Sequence, residues 1–551
     1  MYHAEWYLTS LIIIFHASQN DSYKILVYNP RFGKSHTKFL GSIADTLVNA
    51  GHNVTEFAPV LFEFSDSTGS KLAKTVKIDA DPEISKIMNV EIFAQDAWKR
   101  NQQSIFSLIS VLFVMKRMSD ALLKNCEFQL KQEKIIQELK SEKFDLAIFE
   151  FNQCFAVDII ITNRITGIIE LLRIPAHIVV SPTALFEYAI ECFGIPNIPS
   201  YIPSLLTQYT DKMTYLQRLK NLIITILTTK LLDNHTIRCQ ALFRRLYGDQ
   251  FIDLKEKLAQ VTYVLTNTDP LFHISRPTIH KMLELGGLAL PKPQPLSKEW
   301  IAVMNKRKAV VLVSFGTVTL SCWMPNETKQ ALLDAFDSFP NVTFIWKYEK
   351  DEHLIAEGRP NVITSKWLPQ SDLLAHKNLI AFLTHGGMNS ITETLNRGKP
   401  IVVVPLFGDQ MQNAVLVQRL GLGIKLSLSE LAIKEKIQNA IYNIIYDKSY
   451  AQKVERLSKM MAKKPNQAEE QLIKHVEFAA EFGQIANFDP YGRKMSFVSY
   501  YMLDIIIPFI ILIFFIITVF CYLIIRLFRK LFHKAVICNN NNSIITKVKK
   551  N

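Results

Sequence analysis

The feature that most restricts the fold of this chain is the stretch from Ala381 to Val404. Ala381 to Thr384 is a short apolar run of buried-strand length, and Gly386 with Gly387 interrupts it. Met388 to Asn396 follows with helix formers until Arg397 and Gly398 close the helix, and Ile401 to Val404 is a second apolar strand. Strand, glycine turn, helix and strand in that order make a βαβ unit, which in a parallel sheet crosses over right-handedly. The chain therefore contains an open α/β sheet.

A glycine turn at a helix N-terminus bares backbone to which a diphosphate can come close. The unpaired N–H groups and the positive end of the helix dipole favour anionic oxygens there. His385, Asn389, Ser390 and Glu393 surround the turn, and Asp409 with Gln410 follows the next strand. Glu393 is suited to accept from both hydroxyls of a ribose, Asp409 and Gln410 to hold the hydroxyls of a sugar, and Trp367 to stack on a base. Two adjacent glycines alone read better as a structural turn.

The full stretch, WLPQSDLLAHKNLIAFLTHGGMNSITETLNRGKPIVVVPLFGDQ from Trp367 to Gln410, resembles residue by residue the donor-binding signature of the UDP-glycosyltransferases. That family includes the animal UDP-glucuronosyltransferases and the plant secondary-product glycosyltransferases. The resemblance implies a GT-B fold, two Rossmann-like domains facing a cleft, with UDP-sugar on the C-terminal domain and acceptor on the N-terminal one. It further implies Trp367 and Gln370 at the uracil, Glu393 at the ribose, and Thr384, His385, Gly387, Asn389 and Ser390 at the diphosphate. Asp409 and Gln410 would meet the sugar.

The N-terminal half opens with its own strand, helix, strand unit: Tyr23 to Asn29, the periodic run from His36 to Val48, and Val54 to Ala58. His36 stands at the junction of loop and helix, over the carboxyl edge of the first strand, where open α/β sheets bind ligands. By position alone it reads more readily as a helix cap than as a catalyst. The loop GKSHTKFLG, however, resembles the family's catalytic-histidine loop, which makes His36 the general base, a task suited to an imidazole pKa. FDLAIFEFNQC, Phe144 to Cys154, resembles the segment carrying the histidine's acidic partner. Vertebrate members usually have aspartate there, and this chain has Glu150. One methylene longer, Glu150 can hold the far imidazole N–H if the backbone gives it room.

Further strands are expected at Ile174 to Val180 and Tyr263 to Thr266. Ile84 to Lys140 reads as mainly helical without a sharp motif. Leu205 to Leu246 reads as helix with several apolar faces, open to a membrane surface but better suited to the core. SRPT, Ser275 to Thr278, resembles the family's Arg-Pro segment, by which Arg276 would reach the diphosphate or an acidic sugar. The proline-rich Leu290 to Leu296 reads as a stiff linker. Beyond it, Ala309 to Ser314 is an apolar strand, and the loop SFGT resembles the family's second phosphate-facing loop, bringing Ser314, Gly316 and Thr317 to the donor. Helices are expected at Asn326 to Phe339, Asn413 to Leu420 and Ile433 to Met461. In the family the last helix crosses back to the first domain, a role open here to Gln467 to Phe482.

At the C-terminus, Ile505 to Ile525 carries no charge. At about 1.5 Å per residue it spans a hydrocarbon core of roughly 30 Å. Arg526, Arg529, Lys530 and Lys534 follow, so the positive-inside rule puts the tail in the cytosol and the body in the lumen. The ending KVKKN resembles a lysine-based retrieval signal for the endoplasmic reticulum. Met1 to Ser18 has the apolar core of a secretory signal peptide but no Lys or Arg at its start. Sequons stand at Asn20, Asn53, Asn234, Asn326 and Asn341.

The net charge of +13 does not point to nucleic acid, because seven Lys and Arg after Ile525 supply more than half of it and no basic stripe remains. Seven scattered cysteines without a CxxC pair argue against a zinc site or disulfide scaffold and leave room for a single bridge. The expected organisation is a signal peptide at 1–18, an acceptor-binding domain at 19–289, a UDP-sugar-binding domain at 297–482, a transmembrane helix at 503–525 and a basic cytosolic tail at 526–551. By resemblance the chain is an inverting transferase of glucose or glucuronate from UDP-sugar, its co-substrate, to a hydroxyl of a small lipophilic acceptor. No cofactor or metal is expected, and a homo-oligomer stays open. Two alternatives remain: a lipid glycosyltransferase of the same fold, and a pseudo-transferase that binds without turnover, which the Glu150 departure motivates.

Overall fold

The computed structural model describes residues 22–61, 68–82, 95, 97–98, 119–151, 157–204, 206–288 and 290–548. The expected leader, Asn20, Cys154, much of Ile84 to Lys140 and the final three residues lie outside them. The described chain separates into two compact units between Asp489 and Pro490, and both sheets belong to the first.

Seven parallel strands form the first sheet: β1 (Lys24–Tyr28), β2 (Asn53–Pro59), β3 (Lys74–Ile78), β4 (Leu146–Glu150), β5 (Ala176–Ser181), β6 (Tyr263–Thr266) and β7 (Met282–Glu284). Their order is β3-β2-β1-β4-β5-β6-β7. Crossover helices include α1 (Lys34–Asn49), α2 (Val157–Leu172), α3 (Glu187–Phe193) and α4 (Tyr215–Tyr247). The order reverses between β1 and β4, which opens a crevice at the carboxyl ends of those two strands. His36 follows β1, and Glu150 is the last residue of β4.

The second sheet repeats the plan with β8 (Ala309–Ser314), β9 (Val342–Lys347), β10 (Val362–Ser365), β11 (Leu379–Thr384), β12 (Ile401–Val403) and β13 (Gly423–Lys425). Its order is β10-β9-β8-β11-β12-β13, again all parallel. Helices α5 (Asn326–Asp337), α6 (Met388–Asn396) and α7 (Gln410–Arg419) are among its connections. Here the order reverses between β8 and β11, so Ser314 and Thr384 end the two strands that flank the crevice.

Three expectations need correction. The helix read at Ile433 to Met461 is two, α8 (Lys434–Tyr446) and α9 (Lys448–Ala462), because Asp447 leaves helical geometry and caps α9, its carboxylate accepting from the Ser449 N–H at 2.9 Å. The apolar face of α4 is core only in its second half, through Leu232, Cys239, Leu242 and Phe243; in its first half Leu216, Leu219, Leu222, Ile223, Ile226 and Leu227 point to the exterior. The single bridge left open by composition is not formed among the described cysteines, which are free, four of them buried.

The final helix of the first unit, α10 (Ala468–Phe482), does cross back. Its Leu472, Val476 and Ala479 are buried in one core with Ile25, Val27, Phe39 and Ile43 of the first domain. Thr262 fastens the end of this helix, donating to the Gly483 carbonyl at 2.9 Å. The second unit contains α11 (Leu503–Val548), whose segment Leu503–Ala535 is long and apolar enough to cross a membrane and leaves its apolar window unburied. Pro508 lies inside this helix, in its second turn rather than its first, and removes one i→i−4 hydrogen bond there.

Candidate active site

The loop between β1 and α1 is held from below. Asn29 Nδ2 donates to the Thr37 carbonyl at 2.9 Å and to Glu56 Oε1 at 2.6 Å, so the first turn of α1 is fixed against β2. His36 then sits in the first turn of the helix with its ring 4.8 Å from that of Phe32. Its Nδ1 lies 2.5 Å from Glu150 Oε1, and the Glu150 side chain is only 2% exposed. The backbone at the end of β4 therefore gives the longer carboxylate its room. With Nδ1 committed to Glu150, the imidazole presents Nε2 as its remaining basic atom.

A cavity of about 590 Å3 separates this pair from the second sheet. The first domain contributes Phe32, Lys34, His36 and Lys38 to its wall. From the second come Ser314, Gly316, Thr317, Trp367, Gln370, His385, Gly387, Asn389, Ser390, Glu393, Asp409 and Gln410. Most of the residues singled out in the sequence thus share one space.

Three do not line it. Glu150 stands behind His36. Thr384 is fully buried at the end of β11, its Oγ1 3.3 Å from His385 Nδ1. Arg276 points into its own domain, where Nη1 donates to the Leu185 carbonyl at 2.6 Å, so the diphosphate contact expected of it is not poised in this structure.

The turn after β11 is packed around His385. Gly316 has φ +88°, and a Cβ there would stand 2.7 Å from His385 Nε2; a Cβ on Gly387 would stand 2.8 Å from the same atom. Only bare backbone fits on both sides of the ring. Burial, and then the charge of Lys347, push the His385 pKa down to about 4, against a hydrogen bond that the ring donates to the Ser314 backbone. At neutral pH this ring is uncharged. Gly387 gives α6 no side-chain cap, which leaves the first turn of the helix open to an anion.

Other polar groups are already oriented. Gln370 Nε2 donates to Glu393 Oε2 at 2.9 Å, and Trp367 stands beside them, two-thirds exposed. Gln410 is nearly buried, its Oε1 accepting from the N–H groups of Leu406 and Phe407 at 2.9 and 3.1 Å. Asn413 Nδ2 donates to Asp409 Oδ2 at 2.8 Å and to the Gly386 carbonyl at 2.9 Å. Burial raises the Asp409 pKa, while Asn413 and the charge of His36 pull it down; the groups at the two ends of the cavity thus feel one another.

Residues 23–540 match the family described as UDP-glucoronosyl and UDP-glucosyl transferase. The chain belongs to that family. A Caenorhabditis elegans protein named as UDP-glucuronosyltransferase ugt-50 is 30% identical over 515 residues, 91% of this chain and 94% of its own length. Human UDP-glucuronosyltransferase 1A9 is 27% identical, with 86% of each chain covered. Among solved structures, a UDP-glucosyltransferase from Polygonum tinctorium superposes with a TM-score of 0.56 at 16% identity, covering 84% of this chain and 100% of the other. CalG4, the calicheamicin glycosyltransferase, gives 0.51 at 17%, covering 84% and 99%. The fold is GT-B, and the protein is a glycosyltransferase with a UDP-sugar as donor.

Two residues of this glycosyltransferase escaped the sequence reading. Lys347, the last residue of β9, lines the cavity and donates to the Gly316 carbonyl at 2.6 Å, fastening the loop that follows β8. A lysine ending an apolar strand, FIWK, at the carboxyl edge of the sheet was the available signal. Trp98 lies in the core of the second sheet, its ring 5.1 Å from Phe315 and its Nε1 donating to the Leu320 carbonyl at 3.1 Å. Nothing local to Trp98 announces so distant a partner.

Proposed function

We propose that this glycosyltransferase moves glucose or glucuronate, with inversion, from UDP-sugar to a hydroxyl of a small lipophilic acceptor, with His36 as general base. The observation that carries this reading is the His36–Glu150 pair facing the glycine turn across one cavity. The acceptor O–H gives its proton to His36 Nε2 as its oxygen bonds to the anomeric carbon, and Glu150 stabilises the imidazolium that results. The bond from that carbon to the diphosphate oxygen breaks with its electron pair on UDP. The amides at Gly387 and the first turn of α6 receive the departing charge, with Lys347 close by. Trp367 and Gln370 serve the uracil, Glu393 the ribose, Ser314, Gly316, Thr317, Asn389 and Ser390 the diphosphate, and Asp409 with Gln410 the sugar. The helix end does the work a metal does elsewhere, so activity is expected to survive a chelator.

α11 anchors the chain once in the membrane, and the basic residues after Ile525 orient the catalytic body to the lumen of the endoplasmic reticulum. The test is UDP release by the full chain in lipid nanodiscs, with UDP-glucose against UDP-glucuronate and a panel of phenols and sterols. One donor should dominate, and His36→Ala should abolish transfer. Unchanged turnover in that variant removes His36 as the base.

A further inference from the structure

The most unusual surface of the molecule is the outer face of α4. A helix on a globular domain buries its apolar side and wets its polar one. The first half of α4 does the reverse. Asn221, Thr225 and Thr228 face inward and are buried, whereas Leu216, Leu219, Leu222, Ile223, Ile226 and Leu227 face outward, each between 43% and 65% exposed. The inward polar groups are fully employed where it matters: Asn221 Oδ1 accepts from the Ser204 N–H at 2.8 Å, and Nδ2 donates to the Pro199 and Ile202 carbonyls at 2.8 and 2.9 Å. The orientation is therefore fixed by specific bonds.

Charge completes the pattern. Between Asp211 and Asp233 there is no acidic residue, while Lys212, Arg218, Lys220 and Lys230 are all exposed. At about 100° per residue, Arg218 and Lys220 fall on opposite margins of the apolar stripe. An apolar stripe edged with cations is the signature of a helix that lies in the plane of an anionic lipid surface. The helix cannot be a second span, because the only stretch among the described residues apolar enough for that is in α11. A chain that carries its own anchor also keeps a lipid surface at high effective concentration.

We infer that the outer face of α4 is a lipid-docking surface, engaging an anionic bilayer through Leu216 to Leu227 with Arg218 and Lys220 at the headgroups. Docking holds the acceptor-binding domain against the phase in which lipophilic acceptors dissolve. The docking claim itself stands independently of which sugar is transferred.

The test uses the full chain in nanodiscs of phosphatidylcholine and phosphatidylserine whose acyl chains are brominated. Ile223→Trp adds a fluorophore to the stripe, and Lys306→Trp adds one to an exposed position of the second domain. Added fluorescence from Ile223→Trp should be quenched at least about twofold more than that from Lys306→Trp, and the excess should shrink when phosphatidylserine is omitted. Equal quenching of the two overturns the inference. So does dimerisation of the detergent-solubilised chain that is abolished by Leu219→Glu with Ile226→Glu, since a second copy would then be the occupant. UDP affinity of every variant, measured by calorimetry, confirms that the fold is kept and separates loss of docking from loss of the donor site.

Discussion

His36 and His385 stand beside the order reversals of two similar sheets and are made into different groups by what touches them. Each follows a strand that borders the reversal of strand order, and each faces the same cavity. His36 has a buried carboxylate 2.5 Å from Nδ1, which fixes the ring and its tautomer. His385 has two glycines and a lysine, and burial with Lys347 drives its pKa down to about 4. The lesson is that topology supplies the position and the neighbour supplies the chemistry: one imidazole is equipped to gain a proton, the other to stay neutral and pack.

Several measurements break or sharpen that contrast. The largest effect is expected from His36→Ala, a loss of turnover of roughly 10²- to 10⁴-fold with UDP affinity unchanged. If UDP binding weakens and turnover survives, the two histidines have the reverse roles. Glu150→Gln should cost about 10²-fold in turnover by removing the charge that steadies the imidazolium. Glu150→Asp should recover only part, because a shorter side chain must bridge the same gap. On the opposite wall, Gly387→Ala should weaken UDP binding by about tenfold, since the new methyl meets His385 Nε2 at 2.8 Å. Its pH–rate profile should keep the parent shape.

The smallest effect concerns stability in acid. His385 is held at about 4 in the fold and returns to its ordinary value of 6.5 on unfolding. Between those values the unfolded chain binds more protons, so stability present above pH 6.5 is lost as the pH falls toward 4. Melting temperatures measured from pH 7 to pH 4.5 should therefore decline, and less steeply in His385→Asn. The slope will not vanish, because burial also lowers His177 to about 3 and His273 to about 4.

Much of this was legible in the chain because buried strands and a glycine turn leave strong local marks. YVLT and AVVLVS are β6 and β8 to the residue, and MNSITETLN is α6. Three-residue strands such as β7 and β13 have too short a pattern to announce themselves and exist through pairing with β6 and β12. The second-domain wall of the cavity was readable as a set of residues that share one space, since most of them cluster around one βαβ unit. Arg276 was not, because its contact with Leu185 spans 91 positions and depends on where α3 begins. Periodicity told that α4 has an apolar face but not which way that face turns. Only Asn221, bonded to the chain at Pro199 and Ile202, decides it.

The return of α10 onto the first sheet bears on how this protein could be recombined with its relatives. A chimera joined anywhere in the proline-rich connection around Pro291 would pair one parent's β1 and α1 with the other's Leu472, Val476 and Ala479. Grafted acceptor domains should keep their solubility only when the terminal helix travels with them, so the functional seam of the molecule is two cuts, not one.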